Sequence, residues 1–224
     1  QLYGKRFWKR NTLSTELNFG QRNFNYYGFY ELPGVVGDEL EDSELEQSYQ
    51  RFQFSTELSS TKQDSFNLRH SVQLDYSLIS NESSLQEHYL SAKGNLSQFR
   101  NSELYQLDIA ADFNSYDSLS QNGIIQLKPS ITSIGEKFRI KAGLGVYMNA
   151  SDEDNASFHF YPLAEVSYNV LEDVLIPYAG VKGEIQRNNY FNFTKENPFL
   201  AEQLFIANSN QLYDVFLGIR GAFS

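Results

Sequence analysis

The chain has no cysteine, one methionine, one tryptophan and five prolines in 224 residues. Without cysteine there is neither a disulfide framework nor a thiolate metal site, and an oxidising compartment is permitted without being required. No apolar run approaches the roughly 18 residues that a spanning helix needs, which excludes a helical membrane protein and leaves a β membrane protein open. Basic residues are scarce: 18 Lys and Arg against 28 Asp and Glu give a net charge of -10. Nucleic acid, which demands a basic field, is therefore not an expected partner. Charged residues make up 21% of the chain and aromatic ones 15%, the opposite of the disordered balance. One folded domain over residues 1–224 is expected, long enough for a sizeable core. Gln1 is not an initiator Met and no charged-then-apolar signal segment precedes it, so the sequence reads as mature, trimmed or an excerpt.

What the chain does have is alternation with period 2, sustained over segments longer than the usual strand. Phe66, Leu68, His70, Val72, Leu74, Tyr76 and Leu78 alternate with Asn67, Arg69, Ser71, Gln73, Asp75 and Ser77. The same separation recurs as Tyr105, Leu107, Ile109, Ala111 and Phe113 against Gln106, Asp108, Ala110, Asp112 and Asn114. It predicts strands near 12–20, 23–31, 48–60, 65–79, 85–98, 104–116, 123–133, 137–149, 157–169, 174–187 and 211–224, with helices essentially absent. In a soluble sandwich the outward face carries Lys, Glu and Thr. Here one face is nearly uncharged along whole strands, and the charges share the other face with Gly, Ser and Asn. That pattern matches an outer-membrane barrel with an apolar lipid face and a polar lumen.

The connections agree. The medium and long ones, 31–47, 117–122, 150–156 and 188–210, all fall on one parity and so on one rim, as the extracellular loops of such a barrel do. On this assignment the first strand starts at the extracellular rim, whereas a mature barrel keeps both ends periplasmic. Either residues 2–10 add a strand or the chain is an excerpt of a longer barrel; the poor alternation of Lys5-Arg6-Phe7-Trp8-Lys9-Arg10 favours the excerpt.

At Glu196-Asn197-Pro198-Phe199-Leu200 a long loop leads into Tyr213-Asp214-Val215-Phe216-Leu217-Gly218-Ile219-Arg220-Gly221. This resembles the loop-to-strand signature of TonB-dependent receptor barrels, in which an Asn-Pro-x-Leu element and a following acid, here Glu202, precede a strand ending in Gly-hydrophobic-Arg-Gly. Ala201 and Gln203 depart from the usual wording of that element. The resemblance implies a gram-negative outer-membrane barrel with further strands after this point. The plug domain and TonB-contacting segment of the family have no counterpart in the sequence.

Candidate functional residues follow from parity. Arg51, Arg69, Asp75, Lys93, Asp108, Asp112, Lys128, Arg139, Lys141, Glu165, Lys182, Glu184 and Arg220 should line the lumen, together with Glu57, Glu87 and Asp214. They form either a selectivity lining or a closed interior of cross-strand ion pairs. Asp38, Glu39, Glu41, Asp42, Glu44 and Glu46 make an acidic extracellular loop. It has oxygen ligands for a divalent cation but no turn glycine at a calcium-loop position, and a solvated loop accounts for it equally. His70, His88 and His159 share no metal-ligand spacing; His159 would need a Ser and an acid beside it to be catalytic. Clusters at Tyr26, Tyr27, Phe29 and Tyr30, at Phe158, Phe160 and Tyr161, and at Tyr190, Phe191 and Phe193 suit an interfacial girdle or a sugar-stacking surface. Pro129, Pro162 and Pro177 inside strands predict bulges.

The expectation is thus an all-β, antiparallel up-and-down transmembrane barrel of about eleven or twelve strands, in the bacterial outer membrane, with lipid and other outer-membrane or periplasmic proteins as partners. Its expected role is passage or uptake of a polar solute, with 188–210 as a lid; the alternative is a non-conducting scaffold subunit. No enzyme, cofactor or metal motif is present.

Overall fold

The computed structural model describes residues 1–25, 46–61, 68–81, 85–117, 120–152, 155–171, 174–197, 199–200 and 206–221. Alternation resolves into one antiparallel sheet of eleven strands, each hydrogen-bonded to its neighbours in sequence. The strands are β1 (Leu2–Phe7), β2 (Asn11–Asn25), β3 (Glu46–Ser60), β4 (Leu68–Asn81), β5 (Gln86–Arg100), β6 (Glu103–Tyr116), β7 (Ser120–Ile134), β8 (Phe138–Ser151), β9 (Ser157–Tyr168), β10 (Ile176–Gln186) and β11 (Ser209–Arg220). Among the described residues β1 and β11 pair only with β2 and β10 respectively.

The N-terminal region corrects the sequence expectation twice. Gly20–Arg22 is no turn: Gly20, Gln21 and Arg22 pair in unbroken register with Arg51, Gln50 and Tyr49, so β2 runs straight through. Residues 2–7, set aside for poor alternation, form β1 against β2. An edge strand exposed at every position has no single face to bury, which removes the pressure for alternation. The two corrections cancel in the strand count and leave the rims as assigned. The β2–β3 and β10–β11 connections, at 26–45 and 187–208, are the longest, and both lie at one end of the sheet. The prolines also differ from expectation. Register passes unshifted through Pro129, Pro162 and Pro177, and among the described residues the register shift lies between Lys182 and Glu184, where β10 meets β11. The β7–β8 ladder simply omits Lys128 and Pro129, the consequence of a missing N–H.

The sheet has two unlike faces. One carries Leu17, Phe54, Leu74, Leu90, Ile109, Ile125, Leu144, Phe160, Val181 and Leu217, and from Leu13 to Ile219 its mid-strand positions on β2–β11 hold no Asp, Glu, Lys or Arg. These apolar side chains are open: Phe160 is 65% exposed, Val215 74% and Leu217 83%. The opposite face carries the charges, yet it holds the buried positions Glu87, Ser91, Asn114, Asn122 and Thr132. This inverts the arrangement of a water-soluble domain.

The sheet is also curled toward its polar face. The Arg187 guanidinium, one residue past the β10 ladder, donates to the Asp112 carbonyl on β6 at 3.2 Å and to Asn122 Oδ1 on β7 at 2.8 Å. Four strand spacings in a flat sheet amount to ~19 Å, further than one arginine extends. The polar face is therefore concave, and the apolar face convex.

Candidate functional site

The concave face is occupied at the long-loop end by a helix that the alternation did not announce. Asn188 anchors the turn after β10 by donating to the Ala207 carbonyl and Ser209. Asn189 then caps α1 (Tyr190–Glu196), its side chain accepting the Asn192 N–H at 3.0 Å. The first two helical N–H groups need another acceptor, and Glu87 of β5 supplies it. Its carboxylate takes the Tyr190 N–H at 2.8 Å and the Phe191 N–H at 2.7 Å, with Asn114 Nδ2 adding a third bond at 3.1 Å. Glu87 is only 1% exposed, so a buried carboxylate and a buried helix start satisfy one another.

Apolar packing completes the seat. Tyr190, fully buried, lies among Tyr49, Ile79, Leu85, Tyr116 and Ile206, and its hydroxyl meets that of Tyr49 at 2.9 Å. Tyr190 and Phe191 are accordingly neither girdle nor sugar-stacking residues. Phe158 and Phe160 do stand on the convex face, while their neighbour Tyr161 turns inward, buried, and donates to Asn210 at 2.7 Å. Tyr26, Tyr27, Phe29 and Tyr30 lie outside the described residues, as do Asp38, Glu39, Glu41, Asp42 and Glu44 of the acidic loop; Glu46 opens β3.

Beside α1 the concave face holds a cleft of about 390 Å³. One wall is the sheet, with Glu16, Asn18, Gln53, Ser55 and Asp75; the other is Arg187, Asn189, Asn192 and Lys195. A smaller cleft of about 170 Å³ lies among Gln73, Lys93, Asn95, Asp108 and Lys128.

Strand register places all the parity-selected charges on the concave face. It brings several together: Lys93 meets Asp75 at 3.7 Å, Lys182 meets Asp214 at 3.5 Å, and Arg220 meets Glu165 at 3.8 Å. Asp75 also accepts from Ser55, Asp108 from Asn95, and Asp112 from Tyr89. The Lys128 ammonium stands 5.2 Å over the Tyr147 ring. Lys141 pairs in register with Glu165, and Glu184 with Gln211. Arg69 and Arg139 sit at the short-loop end and join no ion pair with a described residue. Besides Glu87, Arg51 of the set reaches α1, donating to Thr194 Oγ1 at 3.0 Å. His159 lies between Ser157 Oγ, at 3.0 Å, and Asn210, so its second nitrogen meets an amide and not the acid that catalysis would need.

Two contributors were invisible to parity. Arg187 and Asn189 lie past the last β10 pair, where period 2 ends; Asn189 followed by an aromatic turn, with Pro198 just beyond, is nevertheless a start-and-stop signal for a short helix. Comparison with models of known protein families, with curated proteins and with solved structures finds no match for this chain.

Proposed function

We propose that the chain is an integral β-barrel protein of the bacterial outer membrane that passes a polar solute through its interior, with α1 as the internal constriction. The observation that carries this reading is the segregation of charge: on β2–β11 the convex face has no charged side chain at its described mid-strand positions, with Arg6 of the edge strand β1 the exception beside them, and the concave face bears ion pairs and buried polar groups. Water penalises the first and hydrocarbon accommodates it; the second suits a hydrated interior sealed from lipid. Strands of 11 to 15 residues in β2–β11 suffice for a tilted crossing of about 30 Å. Energised, TonB-dependent uptake rests on the resemblance of the 196–221 segment alone. The experiment is reconstitution in a planar bilayer: discrete conductance steps are expected, and an electrically silent, correctly inserted protein would reject the passage role.

A specific observation favours a second reading. The Glu87 seat packs side chains across the long-loop end of the concave face, as suits a closed barrel that serves as a scaffold for outer-membrane or periplasmic proteins. That reading expects no conductance even after α1 is released.

A further inference from the structure

Two cations beside α1 differ from the paired cations of the concave face in sharing one aromatic ring. Lys93, Lys182 and Arg220 each have a carboxylate partner. Arg51 and Lys195 have none among the described residues; instead they flank one aromatic ring, Arg51 Cζ at 5.4 Å and Lys195 Nζ at 4.0 Å from the Phe191 centroid. Arg22 on β2 pairs with Tyr49, two residues from Arg51 on the same face of the sheet, and its charge opposes that of Arg51, as that of Arg51 opposes Lys195. Arg51 binds Thr194 through Nη2, but its Nε is buried without a hydrogen-bond partner. Three like charges are thus gathered in a chain whose net charge is -10. Such a gathering raises the energy of the empty interior and lowers it again when an anion enters.

The carboxylates of the cleft do not neutralise this cluster. Asp75 is committed to Lys93 and Ser55, and Glu16 to Gln1 and Asn18 on the opposite wall. The ammonium of Lys195 is accessible from the cleft, and partial burial followed by Arg51 holds it below the ordinary lysine value.

We infer that Arg51, Lys195 and Arg22 form a binding site for a small organic or inorganic anion bearing carboxylate or phosphate oxygens, centred beside the Phe191 ring, with Lys195 and Phe191 at the cleft wall and Arg51 and Arg22 behind them on the sheet. Arg51 supplies the directional N–H donors, Lys195 a mobile point charge at the cleft wall, and Arg22 the outer attraction. That this anion is the transported solute rests on the proposed passage function; the site itself does not.

Isothermal titration of the detergent-solubilised full chain tests the site, with inorganic phosphate and acetate as probes. Saturable binding of at least one probe is expected, weakened about tenfold or more in Arg51→Gln and in Lys195→Gln, because each removes a charged hydrogen-bond donor. Lys137→Gln, in the β7–β8 turn, should bind as the parent does. Heat-dependent electrophoretic mobility establishes that each variant is folded. No saturable binding of either probe to folded protein, or parental affinity in both charge variants, would overturn the inference. Conductance is read separately on the same preparations: pores without anion binding remove this site and leave the passage role, whereas anion binding without pores does the reverse.

Discussion

Replacing Glu87 by Ala should release α1 from the concave face while leaving the sheet intact. The carboxylate accepts two backbone N–H groups and one amide N–H, all within 3.1 Å, at a position 1% exposed. Each hydrogen bond to a charged group contributes about 1.5–3 kcal/mol, and each buried donor left unpaired costs about 1–3 kcal/mol. Water entering the vacated space recovers part of that, so a net loss of about 3 kcal/mol in docking is a reasonable figure, near a hundredfold in the undocked population. The Cys-free chain offers a direct assay. Thr194 is fully buried against Phe191 and Arg51, and Thr194→Cys provides one thiol whose maleimide labelling reports exposure of the helix. Labelling should be slow in the parent background and about a hundredfold faster with Glu87→Ala. Glu87→Gln should fall between, since it keeps one acceptor oxygen and turns an NH₂ toward the second N–H. Equal labelling rates in all three backgrounds would refute the claim that Glu87 seats the helix.

Further outcomes follow from the same geometry. Ile109→Lys, at a half-exposed mid-strand position on the convex face, should cost about 2–4 kcal/mol and block assembly if that face meets lipid, whereas Gln126→Lys on the concave face should be tolerated; in a water-soluble protein the first change would be nearly neutral, and membrane insertion yield separates the cases. Gly143→Ala would put its Cβ 2.6 Å from the Pro129 carbonyl oxygen and 2.8 Å from Ser130 Cβ, where the β7–β8 ladder is already interrupted, and should lower stability in urea by about 1–3 kcal/mol. Arg187→Met should lose the bonds to Asn122 and the Asp112 carbonyl that tie the end of β10 to β6 and β7, at a cost of about 2–3 kcal/mol in the same titration, with α1 labelling accelerated as well.

How far the fold could be read in advance depended on how local its cause was. Alternation is a property of adjacent residues, so the strands and the faces of Asp75, Lys93 or Glu165 were legible from parity alone. Gly20 misled because glycine marks turns more often than mid-strand positions; only its pairing with Arg51 shows the strand continuing. β1 was obscured because an edge strand exposed along its length need not alternate. The seat of α1 was the least legible part, since it joins Glu87 to residues 103 and 104 positions later. Parity could put Glu87 on the polar face, but not say that its partners were backbone N–H groups from a distant connection. Likewise the lack of a carboxylate partner for Arg51 and Lys195 among the described residues is a matter of three-dimensional placement, which composition cannot register.

The central claim, a membrane-embedded barrel with its apolar face outward, is met most directly by electrophoresis of the purified chain in mild detergent, boiled and unboiled. The account expects dependence on detergent for solubility and a distinct mobility for the unboiled form that boiling abolishes. A protein monodisperse in water, with one mobility before and after boiling, would contradict it.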